Sequence, residues 1–191
     1  RVGGSRCAGA DYGTSSRWCQ VRGLSVSAAA AGAAAAAAGV PSSGDGTTWT
    51  FNESGKSPRV TLSEGGLVMR VTDSSQGTDG ARGTFAMVSG RYSWTLRLMS
   101  GTGTNPMVGV CRLAQSLSVD SYTDLIGESA ESWGWKHDGA MMHNGSRVGS
   151  ASSYQEGSEL RLVYDAEAGT LELFSGGSRV GGFTGVRGPV Y

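Results

Sequence analysis

Along most of the chain, large apolar residues alternate with polar or small ones, which is the pattern of a β-strand with one buried face. The clearest case is the segment 92–98, in which every second residue is large and apolar. Segments 160–164 and 171–173 alternate in the same way. Further strands are predicted at residues 59–62, 67–72, 82–87, 107–113, 132–136, 140–143 and 179–183. No segment after residue 46 carries a sustained apolar stripe of helical period.

Two-residue turn signals separate several of these runs. They are Asp138-Gly139, Asn144-Gly145 and Gly176-Gly177, the residue types that tight hairpins require. Many short strands joined by tight turns predict an antiparallel β-sandwich. The predicted core of this sandwich consists of Trp94, Leu96, Val108, Val110, Trp133, Leu160, Leu162, Leu171 and Phe183.

Composition changes near residue 46 and divides the chain into two predicted regions. Residues 1–46 are rich in Ala, Gly and Ser, and ten alanines interrupted by Gly32 fill residues 28–38. A run of this length is marginal for an isolated helix, so we expect a low-complexity, mostly irregular extension with a helical turn or two at most. Trp18 and Val21 either dock this extension onto the domain or are solvated. Residues 47–191 form the predicted β-domain.

Charge and cysteine use restrict the class of partner and the compartment. The chain has 16 basic and 16 acidic side chains and a formal net charge of zero, which argues against nucleic acid or an anionic membrane as a partner. Cys7, Cys19 and Cys111 form no CxxC pair, so we expect neither a disulfide framework nor a zinc site. No stretch is apolar enough to span a membrane. The resulting expectation is a cytoplasmic protein.

Motifs that carry chemistry are weak. Residues 101–106 lack the third glycine and the lysine of a phosphate-binding loop and lie between two predicted strands, without a helix to receive a phosphate. His137 and His143 flank a predicted hairpin and have no third ligand at a useful spacing. We therefore expect no catalytic residues, no metal and no cofactor, and a protein that is not an enzyme.

Several phrases, in order and in register, resemble the SPRY domain. They include Gly90-Arg-Tyr92-Ser-Trp94, Glu131-Ser-Trp133-Gly134-Trp135 and Gly188-Pro-Val-Tyr191. The phrase from Ser121 to Gly127 that precedes Glu131 is closest to the GUSTAVUS-like SPRY-domain/SOCS-box proteins. The resemblance covers about three-quarters of the chain. It implies a bent, concanavalin-like antiparallel β-sandwich and a non-enzymatic adaptor that binds a short linear peptide of a partner protein.

The resemblance also implies which residues line the peptide-binding pocket. Thr104 and Tyr122 match a threonine and a tyrosine of the family pocket. Where the family carries an arginine, a proline and an alanine, this chain has Val71, Asp73 and Ser75. The resemblance to the GUSTAVUS-like group implies an acidic, asparagine-rich peptide motif as the ligand, and the loss of the arginine removes a charge-assisted contact to such a ligand. Asp73 suits a basic or a neutral ligand instead.

The family pattern continues past Tyr191. It includes one more strand, with a tryptophan-glycine pair that lines the same pocket, so we expect residues 47–191 to lack the last strand of the domain. In these relatives a SOCS box recruits Elongin and a cullin ubiquitin ligase. Recruitment of a ligase by this protein therefore depends on a SOCS box outside the chain.

The sequence leaves a second function open, a glycan-binding, lectin-like β-sandwich. Sugar binding requires an exposed aromatic platform, for which Trp133 and Trp135 are the candidates. The family phrase predicts that at least Trp133 belongs to the core. The peptide-binding module is the favoured prediction.

Overall fold

The structure is a computed structural model that describes residues 17–27, 49–71, 78–99, 106–115, 117–119 and 126–191. Within these ranges the chain forms fifteen strands, a 3-10 turn at Glu64–Gly66 and no α-helix. The strands are β1 (Arg17–Ser27), β2 (Phe51–Lys56), β3 (Val60–Ser63), β4 (Val68–Val71), β5 (Thr78–Asp79), β6 (Ala81–Gly83), β7 (Arg91–Leu98), β8 (Met107–Cys111), β9 (Ser118–Val119), β10 (Ser132–Lys136), β11 (Ala140–His143), β12 (Ser146–Ser150), β13 (Glu159–Asp165), β14 (Thr170–Ser175) and β15 (Ser178–Thr184).

Two antiparallel sheets form the predicted sandwich. Among the described strands, the larger sheet has seven, in the order β15-β14-β13-β7-β1-β4-β3, and the smaller has four, in the order β12-β11-β10-β8. Two short ladders, β2 with β6 and β5 with β9, complete the described pairings. The fold class predicted from the alternating pattern is confirmed.

One hydrophobic core lies between the sheets. Trp94, Leu162 and Leu171 of the larger sheet and Val110 and Trp135 of the smaller belong to the same buried cluster. All nine residues predicted for the core are buried, at 8% exposure or less. Trp49 precedes β2 and stacks on Trp94 with ring centroids 6.4 Å apart.

The predicted turn residues adopt the backbone that their types allow. Gly139 has a φ of 89°, and Asn144 and Gly145 both have positive φ, at 50° and 68°. Two successive residues of positive φ match the twist of a two-residue hairpin, which explains why Asn-Gly joins β11 to β12.

The segment Arg17–Ser27 departs from the prediction of a mostly irregular extension. It forms β1, an eleven-residue strand paired with β7 on one side and β4 on the other. Apolar positions alternate from Cys19 to Val21 and resume at Leu24, so the phase of the pattern changes at Gly23. The pairing register shifts between Arg22 and Leu24, as a β-bulge at this point requires. The alanine-rich run 28–38 and the predicted boundary at residue 46 lie outside the described residues.

The last residues of the chain pair with the segment before β7 and with the end of β8. Val190 forms a bridge with Met87, and Tyr191 exchanges both backbone hydrogen bonds with Cys111 at the end of β8. Tyr191 therefore lies on the edge of β8 that faces away from β10. The absence of a last domain strand stays a prediction.

Candidate functional site

The residues predicted to line a peptide pocket fall on three connections between strands. These connections run from β4 to β5, from β7 to β8 and from β9 to β10. Asp73, Ser75, Thr104 and Tyr122 lie outside the described residues. Val71, the last residue of β4, is described and is 5% exposed, so it packs inside the domain at the stem of the first connection.

The first and third connections share a stem. Thr78 begins β5, and its backbone pairs with Val119, the last residue of β9. The connection that carries Asp73 and Ser75 therefore ends next to the point where the connection that carries Tyr122 begins. The backbone N–H of Gly80 donates to the carbonyl of Leu117 over 3.2 Å and extends this ladder.

An ion pair anchors the shared stem to the larger sheet. Arg59 Nε lies 2.9 Å from Asp79 Oδ2, and the Asp79 side chain is only 2% exposed. A buried carboxylate is costly without such a partner, so this pair fixes the position of β5 relative to β3. Asp79 could not be predicted from the sequence, because nothing in the local pattern links it to Arg59, twenty residues earlier.

The second and third connections meet at Gly134. The carbonyl of Ile126, where the third connection ends, occupies the space that a β-carbon on Gly134 would need, and Met107 Cε, where the second ends, lies 2.9 Å from that same point. Gly134 lies between Trp133 and Trp135, which face the core, so it faces outward. Only glycine leaves room here for the loop backbone.

The stem of the second connection is fixed by hydrogen bonds to Pro106. The Tyr154 hydroxyl lies 2.9 Å from the Pro106 carbonyl oxygen and 2.6 Å from that of Trp135. The backbone N–H of His137 donates to the same Pro106 carbonyl over 3.2 Å. Tyr154 is 4% exposed, and its ring meets Trp135 edge-on with centroids 4.8 Å apart. Tyr154 was not predicted from the sequence, because its partners Pro106 and Trp135 lie 48 and 19 residues away along the chain.

Arg82 lies on β6, which follows the shared stem directly along the chain. Its guanidinium donates to the Gln115 carbonyl and lies beside the Cys111 thiol. Burial raises the pKa of the Cys111 thiol, and the neighbouring Arg82 works in the opposite direction. The net increase keeps the thiol protonated at neutral pH and leaves a poor nucleophile.

The two tryptophans considered as a sugar platform are both buried. Trp133 is 3% exposed and Trp135 is fully buried. His143 stacks on Trp133 with centroids 4.6 Å apart and planes within 5°, and its Nδ1 lies 2.9 Å from the Ser132 carbonyl oxygen. These tryptophans therefore offer no exposed ring face to a glycan, and the alternative function loses the two candidates that the sequence offered.

The described ranges contain neither a metal-binding cluster nor a membrane-spanning helix. No group of three or more His, Cys, Asp or Glu side chains there is arranged to hold a metal ion. No described helix is long and apolar enough to cross a membrane.

Comparison with protein families and curated proteins agrees with the resemblance seen in the sequence. Residues 91–189 match the SPRY domain. The chain is 32% identical over 149 residues to human "SPRY domain-containing SOCS box protein 2", covering 72% of this chain and 57% of that protein. It is 30% identical over 133 residues to "F-box/SPRY domain-containing protein 1" of Xenopus tropicalis, covering 66% and 47%. The chain thus spans about half the length of the curated relatives it matches.

Solved structures show the same fold. The SPRY domain of human HERC1 superposes with a TM-score of 0.59 at 20% identity, covering 73% of this chain and 84% of that one. The TRIM65 PSpry domain gives a TM-score of 0.60 at 17% identity, covering 75% and 82%. At these identities the likeness concerns the fold alone.

Proposed function

The chain belongs to the SPRY domain family, and we propose on this basis that it is a non-enzymatic protein-interaction module. Its ligand in this proposal is a short linear peptide of a partner protein. Connections between β-strands form the binding pocket, while the sandwich holds their stems rigid. A preformed pocket spares the ordering entropy that a flexible receptor would lose on binding.

The observation that carries the proposal is the convergence of the three stems. Thr78 pairs with Val119, and the carbonyl of Ile126 and the side chain of Met107 both reach Gly134. The stems of all three connections are thereby linked through neighbouring residues. Such an arrangement suits a single pocket to which Thr104 and Tyr122 each contribute a side chain.

Each proposed pocket residue has a distinct role in binding the peptide. The Tyr122 phenol supplies a flat amphipathic surface and a hydroxyl, and the Thr104 hydroxyl donates to or accepts from a peptide backbone. Asp73 and Ser75 supply polar groups from the first connection. Val71 supports the first connection of the pocket, because it is buried in the domain at the stem of that connection. The Asp73 carboxylate favours a ligand with a basic or neutral group at that position.

The proposal extends to a role in ubiquitin ligation. The relatives are named for a SOCS box or an F-box beside the SPRY domain, and the present chain matches their SPRY part. In this role the module selects the substrate, and a separate box recruits the ligase, with Elongin and a cullin as partners where the box is a SOCS box. We propose the cytoplasm as the compartment, in line with the sparse cysteines.

The test is selection of binding peptides from a random linear library, followed by affinity measurement with variants. Tyr122→Ala and Thr104→Val are expected to weaken a selected peptide about tenfold or more, because each removes a direct contact. Val148→Ala is the control, since Val148 is 54% exposed on β12, two strands away from Gly134 on β10. Equal loss in all three variants, or in none, would contradict the proposed pocket.

A further inference from the structure

A row of arginine positions crosses the outer face of the larger sheet. Thr95 pairs with Arg161, Arg161 with Phe174, and Phe174 with Arg179. We name these four positions the arginine row. On β7, β13 and β14 their chain neighbours Trp94, Leu162 and Leu173 are buried in the core, so the row itself lies on the opposite face.

The described arginines of this row are exposed and only partly neutralised. The Arg161 guanidinium carbon lies 4.1 Å from the centre of the Phe174 ring, and no carboxylate in the described ranges pairs with it. Arg179, whose side chain is 57% exposed, lies 2.8 Å from Glu172. The same carboxylate also pairs with Arg91 at 3.3 Å. One carboxylate thus serves two guanidiniums. On the same face Arg97 lies opposite Glu159 and Arg91 lies opposite Asp165. The described outward-facing charges of β7, β13, β14 and β15 are therefore four arginines and three carboxylates, an excess of one positive charge.

We propose that the arginine row is a second docking surface, separate from the loop pocket, for an extended acidic segment of a partner protein. A guanidinium offers a planar fork of donors that matches a carboxylate or a phosphate group. The Phe174 ring beside Arg161 holds that guanidinium flat and adds an apolar contact for the ligand.

The spacing of the row suits a peptide that crosses the strands. Neighbouring strands are about 4.8 Å apart, so Arg161 on β13 and Arg179 on β15, which are two strands apart, are separated by about 10 Å across the sheet. An extended peptide rises about 3.3 Å per residue, so acidic side chains at every third residue are about 10 Å apart and match the spacing of the row. The zero net charge of the chain favours such a local match over the long backbone contact that nucleic acid requires.

The arginine row does not depend on the loop pocket. It lies on β7, β13, β14 and β15, whereas the stems of the pocket lie at the end of β4, two strands from β7 in the same sheet, at the short ladder of β5 with β9, and at β8 and β10. The two surfaces can therefore be tested separately, and a single partner that reaches both would gain affinity from the linkage.

The experiment measures binding of a fluorescein-labelled peptide of repeated Glu-Gly-Ser triplets by fluorescence polarisation, at low and at physiological salt. The double variant Arg161→Ala/Arg179→Ala is expected to bind about three- to tenfold more weakly, as for the loss of two exposed charge contacts. Arg147→Ala is the matched control, because Arg147 is an exposed arginine on β12 of the smaller sheet. Tyr122→Ala is expected to leave this binding unchanged. Thermal melts check that every variant is folded.

Four outcomes would overturn the proposal. The first is no measurable binding of the acidic peptide at low salt. The second is equal binding of the matched Gln-Gly-Ser peptide, and the third is an equal loss in Arg147→Ala. The fourth is tighter binding of an oligothymidylate with the same dependence on Arg161 and Arg179, which would identify the row as a nucleic-acid surface.

Discussion

The carbonyl of Ile126 lies against the α-carbon of Gly134, in the space that a side chain at residue 134 would fill. This contact holds the connection that ends at Ile126 against the outer face of β10. Gly134→Ala forces the two backbones apart, since Cβ contacts under 3.0 Å are essentially never seen in proteins. We expect a loss of about 1–3 kcal/mol in the free energy of unfolding, as for other overpacked sites, together with weaker binding of a selected peptide.

The matched control for Gly134 is Gly149→Ala on β12. The nearest atom to a β-carbon at Gly149 is Met141 Sδ at 3.5 Å, an ordinary contact distance, so this substitution should leave both stability and binding nearly unchanged. Denaturant melts and peptide titrations measure both effects. Similar stability and affinity in Gly134→Ala and Gly149→Ala would show that the Ile126 contact is unimportant.

Leu162 tests the identity of the core. It is fully buried on β13, with Trp94 directly opposite on β7. Leu162→Ala removes apolar contacts and leaves a cavity, so the free energy of unfolding should fall by about 2–5 kcal/mol. Leu113→Ala, at a residue that is 66% exposed, should change it by less than about 0.5 kcal/mol. A loss below about 1 kcal/mol for Leu162→Ala in urea melts would contradict the described core.

Tyr154 tests the anchoring of the Pro106 stem. Tyr154→Phe removes the phenol hydroxyl from the buried Trp135 carbonyl and from the part-buried Pro106 carbonyl, and should cost about 1–3 kcal/mol. Tyr164→Phe is a close comparison, because the Tyr164 hydroxyl reaches the Gly188 carbonyl only over 3.4 Å, which is long for such a bond. Tyr154→Phe should therefore be the more destabilising of the two variants. The opposite order in urea melts would mean that Tyr154 does not hold the stem.

Three buried groups predict a loss of stability at alkaline pH. Burial raises the pKa of Cys111, Tyr92 and Tyr164 above their ordinary values. A group with a raised pKa in the folded state keeps its proton more tightly there than in the unfolded chain. Its contribution to the free energy of unfolding is complete below the pKa that the group has in the unfolded chain. This contribution is lost as the pH rises through the pKa that the group has in the folded protein. The free energy of unfolding should therefore fall above about pH 9, where unfolded cysteine and tyrosine begin to ionise.

Urea melts between neutral and alkaline pH measure this dependence. Tyr164→Phe should flatten the alkaline decline, because it removes one of the titrating phenols. A free energy of unfolding that stays constant or rises over this range would contradict the burial of these groups. An equal alkaline decline of the free energy of unfolding in Tyr164→Phe and in the unchanged protein would show that ionisation of Tyr164 does not contribute to this decline.

Local pattern was sufficient to predict much of the sandwich. The strands Ser132–Lys136 and Ala140–His143 lie where alternation and the Asp138-Gly139 turn place them, because turn type and strand period are local properties. β1 was missed for two reasons. Gly23 breaks its alternation, and its partners on β7 lie about seventy residues further along the chain. Such pairing depends on tertiary contacts that a single sequence does not reveal.

The candidate site was predictable to a smaller extent. Motif resemblance identified Tyr122 and Thr104, but the residues that hold the stems were not identified as such. The Arg59–Asp79 ion pair and the Thr78–Val119 pairing join residues from distant parts of the chain, and their partners are set by the sheet arrangement. Gly134 was recognised as part of a family phrase, and its steric role became clear only from the position of Ile126.

The most direct test of the central claim is to map the binding of a library-selected peptide by two-dimensional amide NMR of the isotope-labelled protein. The proposed pocket predicts that chemical-shift changes concentrate at residues 71–78, 99–107 and 119–127, the three connections and their stems. It also predicts that Arg161, Phe174 and Arg179 stay unperturbed by a peptide without acidic residues. Changes confined to the outer face of the larger sheet or to β12, with none at the three connections, would contradict the proposal that this SPRY domain recognises peptides through a pocket built on those connections.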